Sequence, residues 1–274
     1  MKLSRTANLI ILMVSILIGG IFLLPFLWMT LSSIKPESLI MGHPEQFFPT
    51  ELSLENYTIL FSQIPFFRFL LNSCIFAGGV TLCSLLFDSL AGYAFAKLPF
   101  KGSTVLFILV LMTMMVPFQI TMIPLYLIMN KFHILNTYAG LMLPRLTNAF
   151  GIYFMRQSFL SVPNELMDAG RIDGVSETGI FFRIMIPVAV ASLSTLGVFH
   201  FMYNWNDFLW PMLMTNTLEM QTLPVGLALF QGEHVMKHGP MFAGAVLSII
   251  PILIIFLAAQ KTFIKGIALS GIKG

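Results

Sequence analysis

Charged residues are scarce in this chain of 274 amino acids. They make up 10% of it, whereas hydrophobic residues make up 57%. A soluble protein usually has about 25% charged residues, so this chain has too few of them to cover a surface in water. The composition therefore excludes a water-soluble protein and indicates an integral membrane protein.

Cysteine and the common catalytic motifs are also lacking. The two cysteines, Cys74 and Cys83, lie nine positions apart, which puts them on opposite faces of a helix, so they predict neither a disulfide nor a metal site. No Gly-x-x-x-x-Gly-Lys-Ser/Thr run is present to cradle ATP phosphates. The absence of His-Glu-x-x-His and of an aspartate pair leaves an intramembrane enzyme without support. We expect no catalytic residue, no metal and no cofactor bound by this chain.

Long apolar runs are what the sequence does contain. About 20 mostly apolar residues cross a bilayer, and six segments meet that length: 9–31, 69–94, 104–126, 138–157, 187–210 and 241–260. The first has basic residues before it, as a signal peptide does, but is too long and has no cleavage site. The prediction is an all-α polytopic membrane protein, with residues 1–274 forming a single transmembrane domain of six helices.

The basic residues predict the orientation. Ten of the fifteen lie on the side that holds both termini, and five lie on the other. Because cytoplasmic segments are enriched in Lys and Arg, we expect both termini, the loop 158–187 and the tail 261–274 in the cytoplasm. Prolines within the spans predict kinks that either line a cavity or only adjust packing, namely Pro117, Pro124, Pro144 and Pro251.

The predicted cytoplasmic loop is polar and has signals for two short helices. Pro163 suits the first turn of one helix, Gly174 the left-handed turn that ends it, and Ser176 the cap of the next. Leu166, Ala169 and Gly170 share one face by their spacing, and that face is small enough to enter a groove. The alternative is an ordinary surface loop with capped helices.

The same loop resembles a known motif. The run from Glu165 to Gly174, followed by Ile184 and Pro187, looks like the EAA loop of ATP-binding-cassette importer permeases. Asp168 replaces the family's Glu and Gly170 its second Ala. Four further segments resemble the carbohydrate-uptake branch of these permeases: 54–57, 91–97, 205–211 and 260–274.

This resemblance implies a function and partners. It implies an ATP-driven, binding-protein-dependent importer of a carbohydrate in the bacterial inner membrane. The implied partners are a second permease, two ATP-binding subunits that hold ATP and Mg, an extracytoplasmic sugar-binding protein and membrane lipid, with no nucleic acid. The loop would be the coupling helix on the ATPase, through Glu165, Leu166, Asp168, Ala169, Gly170, Arg171, Asp173 and Gly174. In the tail, Lys265 and Lys273 would also contact the ATPase.

Polar residues inside the spans are candidates for the substrate pathway. They are Asp88 and a cluster near the outer end of the fifth span, namely Tyr203, Asn204, Trp205, Asn206 and Asp207. A tryptophan among amides and a carboxylate suits a sugar, but tryptophans at this depth also anchor a helix at the interface. Asp88 either lines the pathway, pairs with a base such as Lys97, or bonds one helix to another.

Two alternative functions remain open at this point. A gradient-driven secondary transporter or channel needs intramembrane charges as ion sites, and only Asp88, Arg145 and Asp207 are available. It also leaves the polar loop unexplained. An importer of the same type that carries a polyol phosphate is the second alternative, although a lone interior Arg145 favours a neutral sugar.

Overall fold

The computed structural model describes the backbone at residues 5–231 and 237–270, with side chains at 6–230 and 237–260. All regular structure in those ranges is helical, which confirms the predicted all-α class. The α-helices are α1 Arg5–Ser33, α2 Glu37–Gly42, α3 Glu55–Gln63, α4 Phe66–Lys97, α5 Ser103–Thr113, α6 Phe118–Lys131, α7 Tyr138–Met142, α8 Ala149–Leu160, α9 Glu165–Ile172, α10 Glu177–Ile180, α11 Ile186–Val188, α12 Val190–Trp205, α13 Leu209–Met214, α14 Leu223–Ala228 and α15 His238–Ser270. A π-helical turn, Phe181–Met185, joins α10 to α11.

Three helical segments in the described ranges are long and apolar enough to cross a membrane: Thr6–Ser33, Phe66–Lys97 and His238–Gln260. Two bent helix pairs raise the number to five if each pair is one span. These segments overlap five of the six predicted spans, and the second bent pair begins at Glu177, inside the predicted loop 158–187. The count of six stays a prediction.

A proline lies within two residues of each bend. Between α5 and α6 the chain turns by 97°, and Pro117 stands directly before α6. The second bend, of 80°, lies at Ala189, two residues after Pro187. Proline removes a backbone donor and favours a kink or break in a helix. The predicted kink at Pro117 is found here as a break, whereas Pro124 and Pro251 lie inside continuous helices.

The predicted span 138–157 is interrupted. It consists of α7, a 3-10 turn at Leu143–Arg145 and then α8. The Asn148 side chain caps α8 by accepting a hydrogen bond from the Gly151 N–H at 2.8 Å. A new cap in mid-segment means that the helix starts again there, so the segment is two short helices instead of one continuous rod.

The chain forms two compact units, and the predicted single domain 1–274 stays a prediction. The first contains residues 1–66 and 226–250. In it, the Asn56 amide donates to the carbonyls of Ser33 and Lys35, at 2.9 and 2.7 Å, where α1 has just ended. The Glu37 carboxylate accepts from the first two backbone N–H groups of α15, at 2.8 and 2.7 Å. These bonds satisfy backbone groups that helix ends leave open.

The second unit contains residues 67–225 and 251–274 and has two apolar clusters. One lies beneath the polar loop and joins Tyr93 of α4 to Phe159 of α8, Met167 of α9 and Phe181 of the π-helical turn. The other surrounds Trp210, whose indole N–H donates to the Leu141 carbonyl at 3.0 Å. The first cluster fixes the polar loop against the helices that enter the membrane.

Candidate functional site

The polar loop forms the predicted helix, turn and second helix. It begins at α9, directly after Asn164, and Gly174 follows with a φ of 76°. That left-handed conformation is strained for residues with a side chain, so glycine suits the turn. Ser176 then caps α10 by accepting from the Gly179 N–H at 3.2 Å. These local predictions are confirmed.

The two faces of α9 differ from the prediction. Met167 and Gly170 are buried, while Leu166 and Ala169 are exposed. A Cβ atom at Gly170 would lie 2.8 Å from the end of the Ile184 side chain. The expected shared face of Leu166, Ala169 and Gly170 is therefore wrong, because the small size of Gly170 serves packing inside the loop.

The exposed end of α9 is apolar. Ile172 is 87% exposed, and Asp173, which follows it, is exposed too. The sequence prediction missed Ile172, although a lone large apolar residue between Arg171 and Asp173 in a polar loop is a signal for a contact surface. With Leu166 and Ala169, Ile172 and Asp173 make up what we call the outer face of α9.

Ion pairs hold the loop in shape. Arg171 Nε donates to the Glu177 carboxylate at 2.7 Å, and Arg171 Nη1 donates to Asp168 at 3.0 Å. The Arg171 guanidinium lowers the pKa of the Glu177 carboxyl, and Glu177 in turn raises the pKa of Arg171. The Tyr93 hydroxyl of α4 donates to the other Glu177 oxygen at 3.0 Å. The charges predicted to face a partner at Asp168 and Arg171 are thus engaged within the loop.

A cavity of about 780 Å³ lies inside the second unit. Its wall combines aromatic rings with amide, hydroxyl and guanidinium groups. The members that matter most are Phe118, Arg145, Phe150, Phe199, Tyr203 and Asn204. Ligand pockets are commonly about 300–1,000 Å³, mostly apolar with a few polar groups, and this cavity has that character.

Arg145 is the buried charge in the cavity wall. Its Nη2 lies 2.5 Å from the Asp207 carboxylate, and its guanidinium lies over the Phe118 ring, 4.4 Å from the centroid. Nη1 donates to the Asn204 amide oxygen at 3.4 Å, while Nε has no acceptor in the described residues. Arg145 can therefore donate to a further acceptor. Such a bond would be favourable, because a buried donor without a partner costs about 1–3 kcal/mol.

Asp88 is fully buried and joins three segments. One carboxylate oxygen accepts from the Thr147 hydroxyl at 2.5 Å and from the Asn148 backbone N–H at 3.1 Å, where the helix before α8 is broken. The other lies 3.1 Å from His200 Nε2. The Asn148 amide donates to His200 Nδ1 at 3.3 Å, so Nε2 carries the proton given to Asp88. A side chain at Gly151 would overlap the carboxylate.

Comparison with known proteins identifies the family. Residues 88–268, more than half of the chain, match the family described as binding-protein-dependent transport system inner membrane component. The chain belongs to this family. It is therefore a multi-pass membrane permease of a binding-protein-dependent transport system, and the predicted kinship with ATP-binding-cassette importer permeases is confirmed.

Two curated relatives cover most of this permease. It is 38% identical over 260 residues to the arabinooligosaccharides transport system permease protein AraQ of Halalkalibacterium halodurans, covering 94% of this chain and 93% of the relative. It is 34% identical over 242 residues to the lactose transport system permease protein LacG of Rhizobium radiobacter, covering 88% of each. Both relatives are permeases, as is this chain.

A solved structure shares the fold. It is a bacterial ABC transporter involved in the import of the acidic polysaccharide alginate, and it aligns with a TM-score of 0.80 at 24% identity. The alignment covers 96% of this permease and 99% of the other chain. At that identity the likeness supports the fold alone.

Some of the predicted pathway residues of the permease line the cavity, and others do not. Tyr203 and Asn204 line it. Trp205 is buried and stacked on Phe201, with centroids 5.4 Å apart, so its ring is not available to a sugar here. Asn206 is exposed and donates to the Met202 carbonyl at 2.9 Å.

The two predicted carboxylates lie behind the cavity wall. Asp207 pairs with Arg145, and Asp88 bonds the helices as described. The suggested pairing of Asp88 with Lys97 is wrong, because the Lys97 ammonium donates to the Val162 carbonyl and the Asn164 side chain, each at 2.6 Å. In the tail, the Lys265 side chain and the whole of Lys273 lie outside the described residues.

Proposed function

We propose that this permease is one of two membrane subunits of an ATP-driven importer for a carbohydrate in a bacterial inner membrane. Two ATP-binding subunits, which hold ATP and Mg, would supply the energy, and an extracytoplasmic binding protein would deliver the sugar. Both termini and the polar loop would face the cytoplasm, as the ten basic residues on that side favour. The chain itself would carry no catalytic group.

The outer face of α9 carries this proposal. Ile172 and Leu166 are exposed apolar side chains in a loop that is rich in polar residues and packs on the apolar cluster of Met167 and Phe181. An exposed large apolar side chain on a rigid support is typical of a contact with another protein. Because this face belongs to the segment that resembles the coupling helix, we assign it to the ATPase.

The contacts of the loop support a route for the coupling motion. A push on α9 reaches Glu177 through Arg171, and Glu177 bonds to Tyr93 near the inner end of α4. The apolar cluster around Met167 and Phe181 adds a packed connection. The hydrogen bond and the apolar cluster both connect the loop to α4, so the loop and this helix would move together. Closure of the ATPase would then shift the equilibrium between two conformations of the permease.

The sugar assignment rests on relatives and on chemistry. Two relatives are named for the transport of arabinooligosaccharides and lactose, both neutral sugars. The gradient-driven alternative loses support because Arg145 pairs with Asp207. The Asp88 carboxylate accepts hydrogen bonds from three groups of this unit. An ion site would require one of these groups to leave its partner.

Reconstitution tests the proposal. The permease is purified with its partner subunits and placed in liposomes with the binding protein outside, and uptake of labelled arabinotriose or lactose is measured. We expect uptake only with ATP and Mg on the ATPase side. Uptake by this chain alone under a proton or sodium gradient would refute the proposal.

A further inference from the structure

We propose that the cavity of the second unit is a sugar subsite in this subunit, and that it accepts uncharged hydroxylated rings and rejects rings carrying phosphate or carboxylate. The proposal rests on the proposed importer function and specifies its substrate class. Three properties of the wall carry it: its charge balance, its polar groups and its exposed aromatic rings.

The charge balance excludes anions. Arg145 and His200 are the basic side chains in this wall. Asp207 already holds Arg145 at 2.5 Å, both of these side chains are largely buried, and Asp88 accepts from His200 at 3.1 Å. An anion would have to displace a carboxylate fixed within the same unit or bind beside it. In both cases the anion would lose its hydration without gaining a net positive charge in the cavity, and that costs free energy. A neutral ring meets no such penalty.

Polar groups with spare hydrogen-bonding capacity suit hydroxyls. The Asn204 amide oxygen accepts a long bond of 3.4 Å from Arg145 and retains a second lone pair. Arg145 itself has N–H groups beyond its bonds to Asp207 and Asn204. Sugar hydroxyls both donate and accept, so one ring can use both groups at once.

The aromatic side chains provide the apolar part of the site. Tyr203 is 61% exposed, and Phe150 and Phe199 also present open surface in the cavity wall. The Phe150 and Phe199 rings lie edge to face, with centroids 6.5 Å apart. The C–H face of a sugar ring packs on such aromatic surfaces while its hydroxyls point to the polar groups. A lipid chain would use the rings but leave the Arg145 Nε–H and the second lone pair of the Asn204 oxygen without a hydrogen-bond partner.

Direct binding tests the subsite. The permease is purified with its partner permease and ATPases, and equilibrium binding of labelled arabinotriose is measured with trigalacturonate, an anionic trisaccharide, as competitor. We expect arabinotriose to bind and trigalacturonate to compete at least tenfold less well than unlabelled arabinotriose. Equal competition by the two, or no binding of arabinotriose, overturns the proposal; the latter is the outcome expected if lipid fills the cavity.

Variants locate the binding within the cavity. Tyr203→Leu and Asn204→Ala should each weaken arabinotriose binding at least tenfold while the ATPase subunits still co-purify. Tyr153→Leu is the matched control, because Tyr153 is exposed on α8 but does not line the cavity. Wild-type affinity in both cavity variants overturns the proposal.

A charge variant tests the selectivity itself. Asp207→Asn leaves the Arg145 guanidinium uncompensated, so trigalacturonate should gain at least tenfold as a competitor. No gain in a variant that still assembles overturns the role given to the ion pair. ATP-driven sugar uptake measured in parallel separates the two proposals: wild-type uptake with unaffected cavity variants refutes the subsite alone, and absence of uptake of any sugar refutes the importer.

Discussion

The Tyr93 hydroxyl lies 3.0 Å from the Glu177 carboxylate, and this bond joins the spanning helix α4 to the polar loop. Tyr93→Phe removes the bond and keeps the ring in its apolar cluster. We expect assembly and ATP hydrolysis to persist while sugar uptake per ATP hydrolysed falls several-fold. Uptake and hydrolysis are measured on the same vesicles, with Tyr153→Phe as control. An unchanged ratio in Tyr93→Phe would remove Glu177 from the coupling route.

The ion pair of the loop has a defined pH dependence. Arg171 lowers the pKa of the Glu177 carboxyl below its usual value of about 4.3. A lowered carboxyl pKa contributes stability that is present above the unfolded-state pKa and is lost as pH falls through the folded-state pKa. The pair should therefore be intact from pH 8 to pH 6.

Uptake per ATP hydrolysed checks this expectation over that pH range. Between pH 6 and pH 8, the ratio for the wild-type protein should show no pH-dependent step that is missing in Glu177→Gln. A pH-dependent step between pH 6 and 8 that disappears in Glu177→Gln would show that the carboxyl titrates there, contrary to the lowered pKa.

Gly170 and Ala169 are neighbours with opposite environments. Gly170→Leu should reduce the melting temperature of the complex, since even a Cβ there meets Ile184 at 2.8 Å. Ala169→Leu should leave the melting temperature unchanged but weaken ATPase association, because Ala169 is exposed on the outer face. Gly170→Ala is expected near neutral: the Ile184 chain end can shift, and alanine gains about 1 kcal/mol in helix propensity. Equal melting temperatures for both leucine variants would contradict the assigned faces.

Asp88 should be a structural residue. Asp88→Ala leaves the Thr147 hydroxyl, the Asn148 N–H and His200 without their acceptor, and each buried donor left unsatisfied costs about 1–3 kcal/mol. Asp88→Asn retains one acceptor oxygen and should lose less. Thermal unfolding of the detergent-purified complex ranks the variants, with Glu51→Ala, an exposed carboxylate outside the loop, as control. A wild-type melting temperature for Asp88→Ala would refute this role.

Local features of the loop were predictable from the sequence. Gly174, Ser176 and the break at Pro117 follow from backbone conformation within a few residues. The orientation of α9 was not, because the face holding Gly170 is decided by packing against Ile184. The α9 residues alone do not contain that information.

Contacts between residues far apart in the sequence could not be predicted either. Asp88 and His200 are 112 positions apart, and no local pattern connects them. Arg145 and Asp207 were both recognised as rare intramembrane charges, and such charges usually pair. Only the three-dimensional structure shows that Asp207 pairs with Arg145 and does not line the cavity, whereas Tyr203 and Asn204 do.

The proposed coupling is tested most directly by measuring whether the ATPase still binds when the outer face of α9 is changed. Ile172→Asp, and separately Asp173→Lys, are expressed with all partner subunits, with Leu54→Asp as an exposed apolar control on another segment. Membrane insertion, ATPase co-purification and sugar uptake are compared. We predict normal insertion for every variant, and loss of both the ATPase and uptake only for Ile172→Asp and Asp173→Lys. Full ATPase association and normal uptake in those two variants would contradict the assignment of the loop as the coupling element.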